Sequence, residues 1–251
     1  GLTAYIANFD WNSDKGEISS RFSNTLGKKI EFGGDLSVSI LPKPHITVKN
    51  VNILNPQNGE KLALVKNVEA TLSLKALLDG TPEVETLSLI GAELWYLVDE
   101  NGNSNWQGQR GHFLDSGIEY NRQTVHVQNA LVHYQNKKRE ISTEFEQVNA
   151  DVVAESLTGP YRIDGNFVNR GDNYGLAVGL GDISQTDDVF LNFAVTHPRT
   201  NSYILYDGSY NFSNSHFEGN FSGEFQQPAS LVNIMLNQEM LPEMLNLPFI
   251  F

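Results

Sequence analysis

Cysteine is absent from this 251-residue chain. Without thiols, the protein cannot form disulfides, Cys-ligated zinc sites, iron–sulfur clusters or a thiol nucleophile. Basic residues are also scarce, because 17 Lys and Arg stand against 30 Asp and Glu, for a formal net charge of −13. A chain this acidic repels the phosphate backbone, so nucleic acid is not expected as a partner. No apolar run reaches the roughly 18 residues that a membrane-spanning helix needs.

The sequence also lacks the usual signatures of enzymes and cofactor sites. Its 6 histidines have no HxxxH or HExxH spacing, and no serine lies in GxSxG. The segment "GLAVGLG" lacks the Lys-Ser/Thr ending of a phosphate loop. The segment "DENGNSNW" alternates oxygen side chains like a calcium loop, but the closing glutamate is missing, which favours a hairpin tip. We therefore expect no enzyme activity, no cofactor and no metal.

Alternation of apolar and polar residues is the main pattern that is present. It runs from "IEFGGDLSVSIL" to "HFEGNFSGEF", with turns such as "PQNGE" and "NRGDN" between the runs. A period of two predicts strands with one apolar and one polar face, and short turns indicate antiparallel neighbours. The alternation slips by one residue within "HITVKNVNIL" and again at Gly91. The expected fold class is mainly β, a long curved antiparallel sheet folded into an open groove.

Two segments break the alternation. "WNSDKGEISSRFSNTLGKK" places Ile18, Phe22 and Leu26 four residues apart, on one face of a short N-terminal helix. "PASLVNIMLNQEMLPEML" predicts a second, C-terminal helix. Two short helices cannot cover a long sheet. The apolar face is therefore expected either to fold over on itself or to remain an open groove for a greasy ligand.

The expected organisation is a single β-rich domain over residues 1–251. Residues 8–32 form the lead-in and the helix, residues 33–225 the curved sheet, and residues 226–251 a C-terminal helical segment. The chain opens on "GLTAYIANFDW", without a starting Met, and closes on the apolar "LNLPFIF". We expect it to be a fragment of a longer protein.

The order of several short motifs resembles the bacterial AsmA family over residues 8 to 225. "FDWN" precedes a helix that ends in "TLGKKIEFGGDLSVSILPKPHITVKNVNILNP". An alanine-valine strand, a Leu-Leu-x-Gly turn and a closing Gly-x-x-Asn-Trp follow, in "LALVKNVEATLSLKALLDGTPEVETLSLIGAELWYLVDENGNSNW", and later "SLTGPYRIDGNF". Lys28 and Lys29 depart from the Gly-Arg that the family often has. The transmembrane helix that normally precedes "FDWN" in the family is absent from this chain.

The resemblance implies a non-enzymatic periplasmic protein that is anchored to the inner membrane in its full-length form. In such a protein an apolar β-groove binds or conducts phospholipid, or another acyl-chain ligand, between the inner and outer membranes. This activity supports outer-membrane biogenesis, with outer-membrane assembly proteins as partners. One alternative is a scaffolding module that assists outer-membrane protein assembly by strand pairing. Another is a carbohydrate-binding β-sandwich that uses Trp11, Trp95 and Trp106.

The groove candidates follow from the period of the strands and from the helix face. In "VEATLSLKALL" every second residue shares one face, and the next run lies beside it. After Gly91, either Leu94 and Tyr96 or Trp95 and Leu97 take the inner face. The helix face is expected to plug the N-terminal end. The candidates are Val68, Ala70, Leu72, Leu74, Leu87, Leu89, Ile18, Phe22 and Leu26.

Overall fold

A single long sheet dominates the fold. The computed structural model describes residues 13, 15–39, 42–73, 75, 84–106, 123–156, 158–183, 188–211 and 216–224. Within them lie one helix, α1 (Lys15–Leu26), and twelve strands. The strands are β1 (Lys29–Phe32), β2 (Leu36–Ser39), β3 (His45–Leu54), β4 (Lys61–Leu72), β5 (Val84–Val98), β6 (Gln123–Asn136), β7 (Ile141–Ala154), β8 (Tyr161–Asn169), β9 (Asp172–Leu180), β10 (Asp188–His197), β11 (Ser202–Asn211) and β12 (His216–Glu224). The expected C-terminal helix lies outside the described residues.

Strand order follows the order of the sequence almost without exception. The sheet runs β1-β3-β4-β5-β6-β7-β8-β9-β10-β11-β12, with β2 also paired to β3. β1 and β2 lie along opposite ends of the same edge of β3. Between them, the backbone N–H groups of Gly33 and Gly34 donate to the carbonyls of Asn50 and Lys49. The Gly-Gly break therefore bends a single edge strand. At the other end, β12 pairs with β11 alone among the described strands, so the sheet is open.

One pairing departs from the expected antiparallel sheet. β5 and β6 are parallel, with Leu87 beside Val125 and Val98 beside Asn136. Parallel neighbours need a crossover of about a dozen residues or more, whereas antiparallel neighbours need only a tight turn. The connection over residues 99–122 is long enough to bring the chain back to the end of the sheet where β5 begins, so that β6 can run in the same direction as β5. All other pairings are antiparallel.

The helix α1 packs at the end of the sheet where β1 and β2 lie. Ile18 contacts the buried cluster of Ile30, Leu36, Val48, Val51 and Val65. The Nζ of Lys15 donates to the carbonyl of Gly34 at 2.9 Å. Phe22, in contrast, is 50% exposed although its ring lies 6.5 Å from that of Phe32. Only part of the predicted helix face is therefore covered by the sheet.

Candidate functional site

Two rows of apolar residues cross the sheet from β2 to β12 without a polar interruption. Residues directly opposite one another on neighbouring strands point to the same side of a sheet, so the pairing register fixes each row. One row is Val38, Ile46, Ala70, Leu87, Val125, Val152, Ile163, Val178, Phe193, Tyr206 and Phe221, and its neighbour is Leu36, Val48, Val68, Leu89, Val127, Ala150, Gly165, Leu176, Val195, Ile204 and Gly223. We call the side that carries these rows the apolar face.

A line of backbone irregularities keeps the apolar face continuous. Beyond the second row the alternation slips at Asn50, Lys66, Gly91, Asn129 and Gln147, on five successive strands of the sheet. Four of these residues have positive φ angles of 51°, 62°, 50° and 47°, and Lys66 lies opposite Asn50 and Gly91. We call them the irregular line. Past it Ile53, Ala63, Leu94, Val132 and Phe145 form a third apolar row.

The apolar face is only partly shielded. Over β4–β10 all members of the first two rows are half-buried, which is the exposure expected of side chains that have neighbours in their own sheet. Full burial occurs towards the ends of the rows, as at Val48 near α1 and at Tyr206. On the edge strand, Phe217 remains 45% exposed although it contacts the rings of Tyr206 and Tyr210. The central part of this face is therefore accessible within the described structure.

The opposite face is polar over most of the sheet. Between the two apolar rows, but pointing the other way, run Thr47, Glu69, Ser88, His126, Asp151 and Asp164. His126 Nδ1 lies 2.6 Å from Asp151 Oδ1. The row becomes apolar only at Ala177, Ala194 and Leu205. The sheet is thus amphipathic.

The polar face also carries a histidine between two carboxylates. His133 Nε2 lies 2.8 Å from Glu93 Oε1, and Nδ1 lies 2.9 Å from Glu144 Oε1. Burial opposes the charge on this ring, but the hydrogen bonds to Glu93 and Glu144 outweigh it and raise the pKa of His133. Beside it, a shallow cleft of about 440 Å³ is lined by Lys66, Glu93, Glu144 and Glu146 among others. Such a charged lining does not suit an acyl chain.

The two tryptophans that the structure describes do not form the exposed sugar platform that the carbohydrate alternative requires. Trp95 is half-buried on the polar face, and its ring stacks on His133 at 5.5 Å. Trp106 is also half-buried, and its Nε1 donates to the Trp95 carbonyl at 2.8 Å. Trp11 lies outside the described residues. Both described rings are half-buried against neighbouring side chains and backbone, so they are not an exposed coplanar pair.

The "NGNSNW" segment lies along the edge of β5 beyond the point where β4 begins, so it covers the part of that edge that β4 does not reach. The Asn105 side chain acts as a substitute strand, because its Oδ1 accepts from the Leu97 N–H at 2.9 Å and its Nδ2 donates to the Trp95 carbonyl at 3.0 Å. At the loop tip, Asp99 Oδ1 accepts the N–H groups of Asn101 and Asn103, and such backbone hydrogen bonds, above all that from Asn103, lower its pKa. The motif is a hairpin-like cap. Within the described residues, no group of His, Asp and Glu side chains could hold a metal ion.

The structure brings four of the nine groove candidates together as neighbours on adjacent strands. Val68, Ala70, Leu87 and Leu89 are cross-strand neighbours on the apolar face. Leu72 is half-buried and pairs with Val84, after a one-residue shift at the end of β4. After Gly91, Leu94 and Tyr96 continue this face beside Val132 and Tyr134, whereas Trp95 lies beside His133 on the other side. Ile18 and Phe22 lie on α1, as described above. Leu74 and the Leu26 side chain lie outside what the structure describes.

An open sheet with one continuous apolar face defines this chain as a β-sheet protein that offers a long apolar surface. The AsmA family model matches residues 2–244, and the chain belongs to the AsmA family. It is similar to the AsmA family protein YhjG of Escherichia coli (strain K12), with 30% identity over 115 residues that cover 40% of this chain and 17% of that protein. The match thus spans a small part of the relative's length. No solved structure matches the chain.

None of the helices in the described part of the chain is long and apolar enough to cross a membrane.

Proposed function

We propose that the apolar face binds the acyl chains of phospholipid and conducts them across the strands between the inner and outer membranes, in a non-enzymatic periplasmic protein. The observation that carries this proposal is the pair of apolar rows from β2 to β12, which stay half-buried over the central strands. An acyl chain laid on them meets no charged or amide side chain at any step. Proteins rarely leave so large an apolar surface open unless it binds something.

The dimensions support acyl chains as the ligand. From β2 to β12 the sheet has ten strand spacings of about 4.8 Å, so each row is roughly 48 Å long. One leaflet of a bilayer supplies about half of the ~30 Å hydrocarbon thickness, so the rows exceed the length of a single acyl chain several times. Each methylene removed from water contributes about 0.8 kcal/mol. Because the rows have no polar step, this stabilisation changes little as a chain slides from strand to strand.

The surroundings that we propose for this activity are those that the resemblance to the AsmA family implies. We place the protein in the periplasm, held at the inner membrane by an anchor in its full-length form, with outer-membrane assembly proteins as partners. The charged and polar side chains of the polar face favour contact with water on that side. The apolar face is then the surface that is left for lipid.

Paired photo-crosslinking substitutions on adjacent residues test which face holds lipid. A benzophenone side chain at Leu87 would lie on the apolar face, and one at Ser88 on the polar face of the same strand. Leu176 and Ala177 form a second such pair on β9. After illumination in a lipid-containing extract, mass spectrometry should find phospholipid adducts at Leu87 and Leu176 but not at Ser88 and Ala177. Equal labelling of both faces, or no adduct at any position, would overturn the proposal.

A scaffolding role in outer-membrane protein assembly is the second candidate. It is favoured by β12, which pairs on one side with β11 and has mostly exposed residues over His216–Glu224. A client strand could add to that edge by backbone hydrogen bonding. Crosslinks from β12 to a β-rich client, together with a protein that carries no lipid, would favour this candidate over lipid conduction.

A further inference from the structure

The apolar face turns polar at one end of β8–β11. Each of these strands carries a polar residue two positions beyond an apolar member of the face, and so on the same side. Asn169 follows Phe167, Asp172 precedes Tyr174, His197 follows Val195 and Ser202 precedes Ile204. Tyr174 contacts the His197 ring edge-on at 5.0 Å, which confirms that the two side chains lie together. We call Asn169, Asp172, His197 and Ser202 the polar rim.

Two side chains of the polar rim are buried with an acceptor atom left over. Asn169 is 2% exposed and His197 is 3% exposed. Asn169 Nδ2 donates to Thr143 Oγ1 at 2.8 Å and to the Glu144 carbonyl at 2.6 Å, but Oδ1 has no hydrogen-bond partner among the described residues. The same is true of His197 Nε2. Buried polar atoms are normally satisfied, so two of them at one end of a face point to a ligand.

The hydrogen-bond network assigns the tautomer of His197. The Thr200 hydroxyl donates to Ser202 Oγ at 2.9 Å, so its single proton is already used. Its oxygen lies 3.1 Å from His197 Nδ1 and must therefore accept from an Nδ1–H. A neutral ring with the proton on Nδ1 carries a lone pair on Nε2. When the ring is neutral, both unsatisfied atoms of the rim are acceptors, and a ligand that donates would satisfy them.

Asp172 supplies charge at the same place. Its Oδ1 lies 3.8 Å from His197 Nε2, which is too long for a hydrogen bond, so the two atoms face each other without one between them. An ammonium nitrogen about 2.9 Å from each atom would bridge them within normal hydrogen-bond geometry. The same carboxylate pairs with the guanidinium of Arg199, whose side chain is 69% exposed. A carboxylate and a guanidinium side by side match an ammonium and a phosphate in one molecule.

We propose that the polar rim, with Arg199, is a headgroup subsite for a zwitterionic aminophospholipid. The ammonium lies between Asp172 and His197, the phosphate contacts Arg199, and the acyl chains run onto Phe167, Tyr174 and Leu176 of the apolar face. The inference rests on the proposed lipid-binding function and adds the class of headgroup. A choline headgroup has no N–H to donate and would leave His197 Nε2 unmet.

Competition between two headgroups on identical acyl chains tests the subsite without any mutation. The purified chain is equilibrated with vesicles of equal parts phosphatidylethanolamine and phosphatidylcholine, and the lipids that it retains are quantified by mass spectrometry. Unmet buried acceptors are costly enough that ethanolamine lipid should be enriched roughly fivefold or more. Equal retention of the two lipids would overturn the subsite while leaving acyl-chain binding intact. Retention of neither would overturn the proposed function itself.

A matched pair of substitutions locates the preference. Asp172→Asn removes the charge at the rim, and Asp164→Asn removes the same charge from the Arg162–Asp164 pair on the polar face. The first should abolish the ethanolamine preference, whereas the second should retain it. Loss of preference in both variants or in neither would overturn the assignment. Free phosphoethanolamine has the same head but no acyl chains, and displacement of lipid by an equal concentration of it would show that the ligand is a soluble amine instead.

Discussion

Asn105→Ala should destabilise the protein far more than a change of this size usually does on a loop. The Leu97 N–H would lose the side-chain acceptor that Asn105 gives it at 2.9 Å, in a half-buried position. An unsatisfied donor costs about 1–3 kcal/mol, and the lost Nδ2 bond to the Trp95 carbonyl adds about 0.5–1.5 kcal/mol. The carbonyl keeps a second donor in Trp106 Nε1. We therefore expect a loss of about 2–3 kcal/mol in the free energy of unfolding.

Urea unfolding followed by circular dichroism measures this loss, and Asn103→Ala is the matched control. Asn103 is exposed, and its side chain contributes only a 3.3 Å bond to Asp99. Its loss should cost no more than about 0.5 kcal/mol. The Asn105 variant should also melt roughly 4–12 °C lower, since about 1 kcal/mol shifts Tm by ~2–4 °C at this chain length. If the two variants unfold within about 0.5 kcal/mol of each other, the capping argument is refuted.

Three further predictions follow from the strands and from the polar face. Gly165→Ala should cost about 2 kcal/mol or more in urea unfolding, because a Cβ there would clash with the Asn149 carbonyl oxygen. The control Gly16→Ala, where a Cβ would meet nothing within 4 Å, should be neutral or stabilising, and similar costs for the two variants would contradict this. At Gly91, where φ is 62°, Asn should be tolerated better than Val, since Asn adopts the left-handed region more readily, and equal melting temperatures would contradict this. His133→Gln should cost more stability at pH 5.5 than at pH 8.5. The raised pKa of His133 means that its charged form stabilises the fold fully below the pKa of the unfolded chain, and this contribution is lost as pH rises through the pKa of the folded protein. A cost independent of pH, or a His45→Gln control with the same pH dependence, would refute the role of the two carboxylates.

Much of the apolar face could be predicted from alternation alone. Val68, Ala70, Leu87 and Leu89 required only the period of a strand and the order of neighbouring runs. The slip at Gly91 was also visible, because an apolar run changes parity at a glycine. The corresponding slip at Lys66 was not, since a lysine carries no conformational signal. It is set by its neighbours Asn50 and Gly91 across the sheet.

Long-range partners account for what the sequence could not reveal. Nothing in residues 99–122 indicates that β6 lies parallel to β5, because the crossover carries no signature of direction. Asn105 looks like any polar loop residue until its distance from Leu97 is known. The polar rim is assembled from residues on four strands, and the burial of Asn169 and His197 depends on that assembly. Periodicity identifies faces, whereas buried polar contacts depend on tertiary structure.

The irregular line links the fold to the proposed activity. A slip of parity in one strand alone would turn its apolar residues to the polar side and break the row that its neighbours form. In β3–β7 the slips lie beside one another, so Val48 and Val51 both remain on the apolar face, as do Val65 and Val68. Where the line ends, the shift between Glu146 and Asn149 restores register with the regular strand β8. Five coordinated irregularities thus preserve one uninterrupted apolar surface, which is the property that a sliding acyl chain requires.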